Sequence, residues 1–230
     1  MEYLFTHGTR GEPRKQTEIG EIPQSCRVMR LKEISDEFIS GGTPSTDEPL
    51  YWDGNIPWTT SAPISEDDVF LFKGQRFITA NGLNNSATHL VPKDNLLIGT
   101  RVGVGKAVVN LIDIVISQDL TGVKIKSKIS ISDFIAYQFK TARVKLFFEG
   151  RKRGTTIKGI ARLDLESLLL SIPDTEEQYE ISKILKNCDS KIAALEQEAA
   201  LLEELFQALL EELMSGRLSA LALVEGEGAP

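Results

Sequence analysis

The chain has little from which to build redox, metal or membrane chemistry. Two cysteines, Cys26 and Cys188, and two histidines, His7 and His89, occur in 230 residues. No Cys or His pair has the close spacing of a zinc site. With Cys188 on an apolar stripe described below, the expected state is a reduced, buried thiol and not a disulfide framework. Long hydrophobic runs are also missing: the stretches at 168–172 and 112–116 fall far short of the ~20 residues that span a bilayer. The first ten residues hold no signal-peptide apolar core, so the expected location is cytoplasmic.

Recognisable catalytic motifs are lacking as well. Gly103, Gly105 and Lys106 resemble a phosphate loop, but Thr100 and Ala107 stand where that loop needs glycine and Ser or Thr. Val108 occupies the place of the third glycine of a dinucleotide loop. Asn55-Ile56-Pro57-Trp58 matches the Asn-Pro-Pro-aromatic motif of amino-methyltransferases only in part, and no glycine-rich cofactor loop precedes it. Asp53, Asp67, Asp68 and Asp119 do not form the acidic pair followed by lysine of a nuclease. No metal site is expected, and the chain reads as non-catalytic.

What is present is unevenly distributed. The net charge of −7 hides a central basic block: residues 99–165 carry 13 Lys plus Arg against 5 Asp plus Glu, a balance of +8. Residues 166–214 carry 3 against 12, or −9, and the first 98 residues 9 against 14, or −5. A basic block beside an acidic helix fits a polyanion partner for the first and a protein partner for the second. Cations spread around a solvated surface are the alternative.

The acidic segment has its own pattern. Ile181, Leu185, Cys188, Ile192, Leu195, Ala199, Leu202, Phe206, Leu209 and Leu213 repeat at alternating spacings of four and three. A seam this regular predicts a long helix, from Glu176 to about Ser215, with a second helix along it. Pro173-Asp174-Thr175 ends the strand before it and caps its start.

Upstream, the chain reads as mainly β. Residues 1–21 form an extended lead-in broken by Gly8, Gly11, Pro13 and Gly20. Short β-branched stretches at 56–58, 69–72, 96–98, 108–109, 114–116, 122–125 and 168–172, each bounded by turn residues, predict strands. Residues 28–34 open either a strand or a short helix, 134–148 one helix of 12–15 residues, and 163–167 a turn. The expected fold class is α+β: a mainly β domain at 22–173, a coiled-coil helix at 174–215 and a flexible tail at 216–230.

Residue types suited to base edges and phosphates gather in the loops. Thr59-Thr60-Ser61, Asn84-Asn85, Arg101, Gln118 and the run Arg151-Lys152-Arg153-Gly154-Thr155-Thr156 are of this kind. Arg and Gln or Asn can bond bases by two prongs, while Lys, Ser and Thr hold phosphates. An Asn-rich loop also makes an ordinary turn. Three adjacent cations, by contrast, repel one another unless water or a polyanion screens them.

The ordered set of motifs is more specific than any one of them. Gly41-Gly42-Thr43-Pro44-Ser45 leads to Tyr51-Trp52 and 55–58, then to 81–87, 96–101, Val104-Gly105-Lys106, Ser117-Gln118-Asp119, the Gly154-Thr155-Thr156 loop, and 168–173 followed by Glu176-Glu177-Gln178. Over residues 22–215 this order resembles the specificity subunits of type I restriction-modification systems. In that family two target recognition domains alternate with two long helices that pair antiparallel. One domain and one helix here resemble a half, natural or a fragment, and residues 1–11 resemble the segment after the family's central helix. Tyr179 stands where the family commonly has arginine.

The resemblance implies a chain that carries sequence recognition and no catalysis, reading one half of a bipartite site on double-stranded DNA. The residues expected at DNA are Thr43, Ser45, Thr59, Thr60, Ser61, Asn84, Asn85, Arg101, Lys106, Gln118, Arg151, Lys152, Arg153, Thr155, Thr156 and Lys158. Expected partners are methyltransferase (M) subunits, a restriction (R) subunit and, through the seam, a second copy of the chain. S-adenosylmethionine, ATP and Mg would belong to those partner subunits, with no cofactor in this chain. A metal-dependent nucleic-acid enzyme and a coiled-coil adaptor without DNA preference remain the rival readings.

Overall fold

The computed structural model describes residues 1–152 and 159–217. It divides into two units, Met1–Lys183 and Ile184–Pro230. In the first, two sheets pack face to face. One has five strands in the order β4 (Ser35–Ser40), β12 (Leu120–Ile125), β9 (Asn95–Gly99), β10 (Ala107–Asn110) and β6 (Phe70–Leu71). The other orders β7 (Arg76–Ile78), β5 (Trp52–Thr59), β11 (Ile114–Ile116) and β8 (Leu90–Val91).

Alternation along the strands places the core. Leu97, Val108 and Leu120 from the first sheet meet Val91, Ile114 and Ile116 from the second, with Ile64 closing the layer. The sheets approach closely enough at Gly122 that a Cβ there would stand 2.5 Å from a Val91 methyl. Trp52, Trp58, Ile78 and Val115 form a second cluster, in which the two indoles meet edge-on at 5.3 Å. Every residue of β10 is buried, because helix α3 (Ser132–Phe139) packs on β9 and β10.

The strands fall where the β-branched stretches predict them, and residues 27–34 resolve into β3 (Arg27–Arg30) and a turn. Three expectations are corrected. The lead-in expected at 1–21 is not one irregular extended stretch: helix α1 (Glu2–His7) precedes a hairpin of β1 (Arg14–Thr17) and β2 (Gly20–Pro23). The predicted single helix at 134–148 is two, α3 and α4 (Ala142–Glu149). Between them the Thr141 backbone is extended and its hydroxyl donates to Gln138 O at 2.6 Å, taking an acceptor that a continuous helix would use. Residues 162–166 form a short helix, α5 (Arg162–Glu166), before β13 (Leu169–Ile172), which pairs with β3.

Helix α6 (Thr175–Met214) has 40 residues, about 60 Å at ~1.5 Å per residue. Asp174 caps it, its Oδ1 accepting from Glu177 N at 2.9 Å. Within the first unit its opening turns are locked to the β domain. Gln178, fully buried, accepts from Ser130 Oγ and Ile131 N and donates to Ile129 O and Pro173 O. Glu177 Oε1 accepts from Thr9 N at 2.8 Å.

Along the seam Ile181 and Leu185 are buried, whereas Cys188, Ile192, Leu195, Ala199, Leu202, Phe206 and Leu209 are exposed and Leu213 is half-buried. In the single chain Cys188 is exposed, and Cys26 is the buried thiol. Burial pushes the Cys26 thiol up. Among the described residues no helix is long and apolar enough to cross a membrane. The tail beyond 217 lies outside the described residues.

Candidate functional site

Five loops converge at one end of the two sheets, and backbone hydrogen bonds hold them together. The loop after β4 begins with Gly41-Gly42, whose second N–H donates to Ile116 O at 2.9 Å. A Cβ at Gly41 would stand 2.0 Å from Ser117 O, and one at Gly42 2.6 Å from Ala87 C. The Gly-Gly pair is thus required by close approach of two other loops. Trp58 Nε1 donates to Gly42 O at 3.2 Å, and Thr88 Oγ1 to Ile116 O at 2.7 Å. Ser117 N donates to Thr59 O and Thr100 N to Asp119 O, which ties in the loops after β5 and β9.

Three sequence-selected side chains meet on this platform. Thr43 Oγ1 donates to Gln118 Oε1 at 2.5 Å, both residues exposed. Gln118 and Arg101 line one cavity of about 210 Å³ with Ser40, Thr100 and Arg162. A guanidinium fork and a carboxamide beside an open cavity can make two-pronged bonds to base edges. Ser45 is exposed on the same loop as Thr43. Asn84 and Asn85 are exposed at the end of α2 (Ala80–Asn84), where Asn85 Nδ2 donates to Asn81 Oδ1 at 2.6 Å. Thr60 donates to Gln75 Oε1 at 2.8 Å.

Other selected residues are placed differently. Thr59 and Ser61 are buried, so their hydroxyls do not face outward. Thr59 ends β5 beside β11, where strand pairing directs it inward. Lys106 Nζ donates to Ile64 O at 2.7 Å. Arg151 lies over the Phe147 ring at 4.0 Å, and Lys152 pairs with Glu149. Arg153, Thr155, Thr156 and Lys158 lie outside the described residues.

The cavity also holds a residue that the sequence reading did not select. Arg162 lies over the Phe38 ring at 4.3 Å and bonds Glu166 at 2.8 Å, holding that carboxyl below its usual range. It belongs to the basic central block, the one sequence signal that marked it. Among the described residues no group of three or more His, Cys, Asp or Glu is placed to hold a metal.

Residues 23–204 match the model of the type I restriction modification DNA specificity domain. The chain belongs to this family. Curated relatives of the specificity domain include the type I restriction enzyme MjaIX specificity subunit of Methanocaldococcus jannaschii, 27% identical over 83% of this chain and 44% of the relative. The putative MjaX specificity subunit of the same organism is 27% identical over 95% of this chain and 49% of its own length. The chain thus spans about half the length of the curated relatives it matches.

Solved structures share the fold of this specificity domain. The HsdS subunit from Thermoanaerobacter tengcongensis aligns at a TM-score of 0.60 with 21% identity, over 89% of this chain and 48% of that one. A chain from a study of complex assembly and conformational transition of the type I R-M system aligns at 0.63 with 22% identity, over 83% and 46%.

Proposed function

We propose that this chain is the DNA-reading component of a type I restriction-modification complex, recognising one half of a bipartite target. The observation that carries the reading is the convergence of Thr43, Arg101 and Gln118 on one loop platform fixed by Gly41 and Gly42. Exposed base-reading groups on loops held by a rigid sandwich suit groove recognition. The surplus of positive charge in residues 99–165 supplies salt-dependent affinity for phosphates. The chain itself performs no catalysis in this reading.

The helix has a second role. From Ile192 to Leu209 the exposed seam side chains form an apolar stripe longer than a monomer ordinarily leaves in water. A second copy of α6 covers it, and the acidic outer face docks the methyltransferase and restriction subunits. S-adenosylmethionine, ATP and Mg are bound by those subunits. Two identical halves related by a twofold axis would read a palindromic pair of half-sites, with a spacer set by the helix. Reconstituting the chain with its modification subunit and sequencing the methylated sites tests this. One bipartite motif is expected; methylation without any shared motif would contradict it.

A further inference from the structure

The turn from Thr100 to Lys106 has a cavity on either side. Its first half borders the Arg101 and Gln118 cavity, and its second half borders another of about 140 Å³. Gly105 lets the turn lie against an aromatic ring: its φ is +93°, and a Cβ there would stand 3.0 Å from Phe148 Cγ. The same cavity is lined by Lys106, Lys140, Lys145 and Lys152. Two carboxylates, Glu66 and Glu149, also line the cavity, leaving a surplus of two positive charges.

The acceptors of these lysines do little to neutralise them. Lys106 donates to the Ile64 carbonyl and Lys140 to the carbonyls of Glu66 and Asp68, all uncharged groups. Lys152 pairs with Glu149. Lys145 is exposed and has no ion pair among the described residues. Glu66, Asp67 and Asp68 act on Lys140 and Glu149 on Lys152, so the exposed Lys145 ammonium is the charge most open to an anion.

We propose that this lysine cavity is a second contact with nucleic acid, holding a backbone phosphate of the duplex whose bases face the Arg101 and Gln118 cavity. The proposal rests on the DNA-reading role given above. Its lining offers ammonium point charges and no guanidinium fork or carboxamide, a set suited to phosphate and unable to read a base edge. Gly99 N donates to Lys106 O at 2.8 Å, closing the turn at its base. The two cavities therefore flank one closed turn.

Titration gives this cavity a signature. Burial lowers Lys140 to about 8, with Lys145 adding to the effect and Asp68, Asp67 and Glu66 opposing it. The remaining charged groups of the cavity are Lys106, Lys152 and Glu149. Lys140 is mostly charged near neutral pH and mostly neutral one unit above its own pKa. A bound phosphate favours its charged form, so duplex affinity should fall as pH rises through 8. Lys140→Arg should remove that fall.

The test uses the full chain, fluorescence anisotropy and two duplexes, a preferred and a scrambled sequence, titrated across KCl concentration. Lys145→Gln should weaken both duplexes by the same factor and flatten the slope of log affinity against log salt by about 0.9. Lys140 also fastens residues 66–68, so exposed Lys145 is the decisive position and Lys140→Arg the second. Unchanged affinity and slope in Lys145→Gln, with the parent chain binding normally, would overturn the lysine cavity alone. Failure of the parent chain to bind either duplex at low salt would overturn the reading role and the cavity together.

Discussion

Thr43 and Gln118, 75 positions apart in the chain, are joined by a 2.5 Å hydrogen bond across two loops. That bond fixes the orientation of the Gln118 carboxamide, whose N–H2 group has no partner among the described residues and can address a base edge or phosphate. Replacing Gln118 or Arg101 by alanine should relax the preference at one base pair, each costing about 1–3 kcal/mol of discrimination. Competition binding with single-base variants of the preferred duplex measures it. Thr43→Ala should produce a weaker form of the Gln118 effect, because the carboxamide is then free to turn.

Gly41→Ala should destabilise the fold and weaken DNA binding. Its Cβ would fall 2.0 Å from the Ser117 carbonyl, so the loop carrying Gln118 must move. A cost of about 1–3 kcal/mol is expected from urea unfolding, as for other substitutions that force a backbone shift. Gly150→Ala is the control: its Cβ meets Leu146 O at an ordinary 3.5 Å, and stability should be nearly unchanged.

Gln178 links the start of α6 to the β domain through four hydrogen bonds from a fully buried carboxamide. Gln178→Leu strands Ser130 Oγ, Ile131 N and two carbonyls, and should cost about 2–4 kcal/mol in urea unfolding. Tyr179 is 63% exposed, and Tyr179→Arg should leave stability within about 0.5 kcal/mol.

Arg10 holds the Asp174 carboxyl below its usual range, aided by the Glu177 N–H. A depressed carboxylate supports the fold where it is ionised. Its contribution is present above the unfolded value of about 3.9 and is lost as pH falls through the lower folded value. The stability difference between the parent and Arg10→Ala should therefore be constant near neutral pH and shrink below about pH 4. Both partners are partly exposed, so the difference should also shrink with salt. Urea midpoints over a pH series measure both effects.

Leu202→Glu with Phe206→Glu places charge on the exposed seam of α6. If a second helix covers that stripe, sedimentation should show a dimer for the parent and a monomer for the variant. Domain stability should be unaffected. A monomeric parent at tens of micromolar would contradict pairing of two copies.

The architecture was legible where local chemistry and tertiary context agree. The β-branched stretches at 96–98, 108–109 and 114–116 became the buried strands β9, β10 and β11, and Pro173-Asp174 marked the start of α6. Legibility failed where distant residues decide. The break at Thr141 depends on a side-chain bond to Gln138 and on Lys140 reaching the carbonyls of 66 and 68. The hairpin at 14–23 was hidden because Pro13, Gly20 and Pro23 suggest an irregular segment, although Gly20 with its φ of +98° serves the turn.

The candidate site was legible in kind and less so in detail. Gln118 and Arg101 share a cavity, but Thr59 and Ser61 are buried, since residue type does not reveal which way a strand end faces. Lys140 and Lys145 escaped selection because they sit at a helix break and on a helix, not in a polar loop. Only the charge balance of residues 99–165 counted them.

The most direct measurement is selection of duplexes from a random pool by the full chain, followed by sequencing. The account predicts one recurrent motif, with information lost at a single position in Gln118→Ala or Arg101→Ala. Recovery of duplexes at low salt with no recurrent bases would contradict it, leaving a basic domain that holds DNA without reading it.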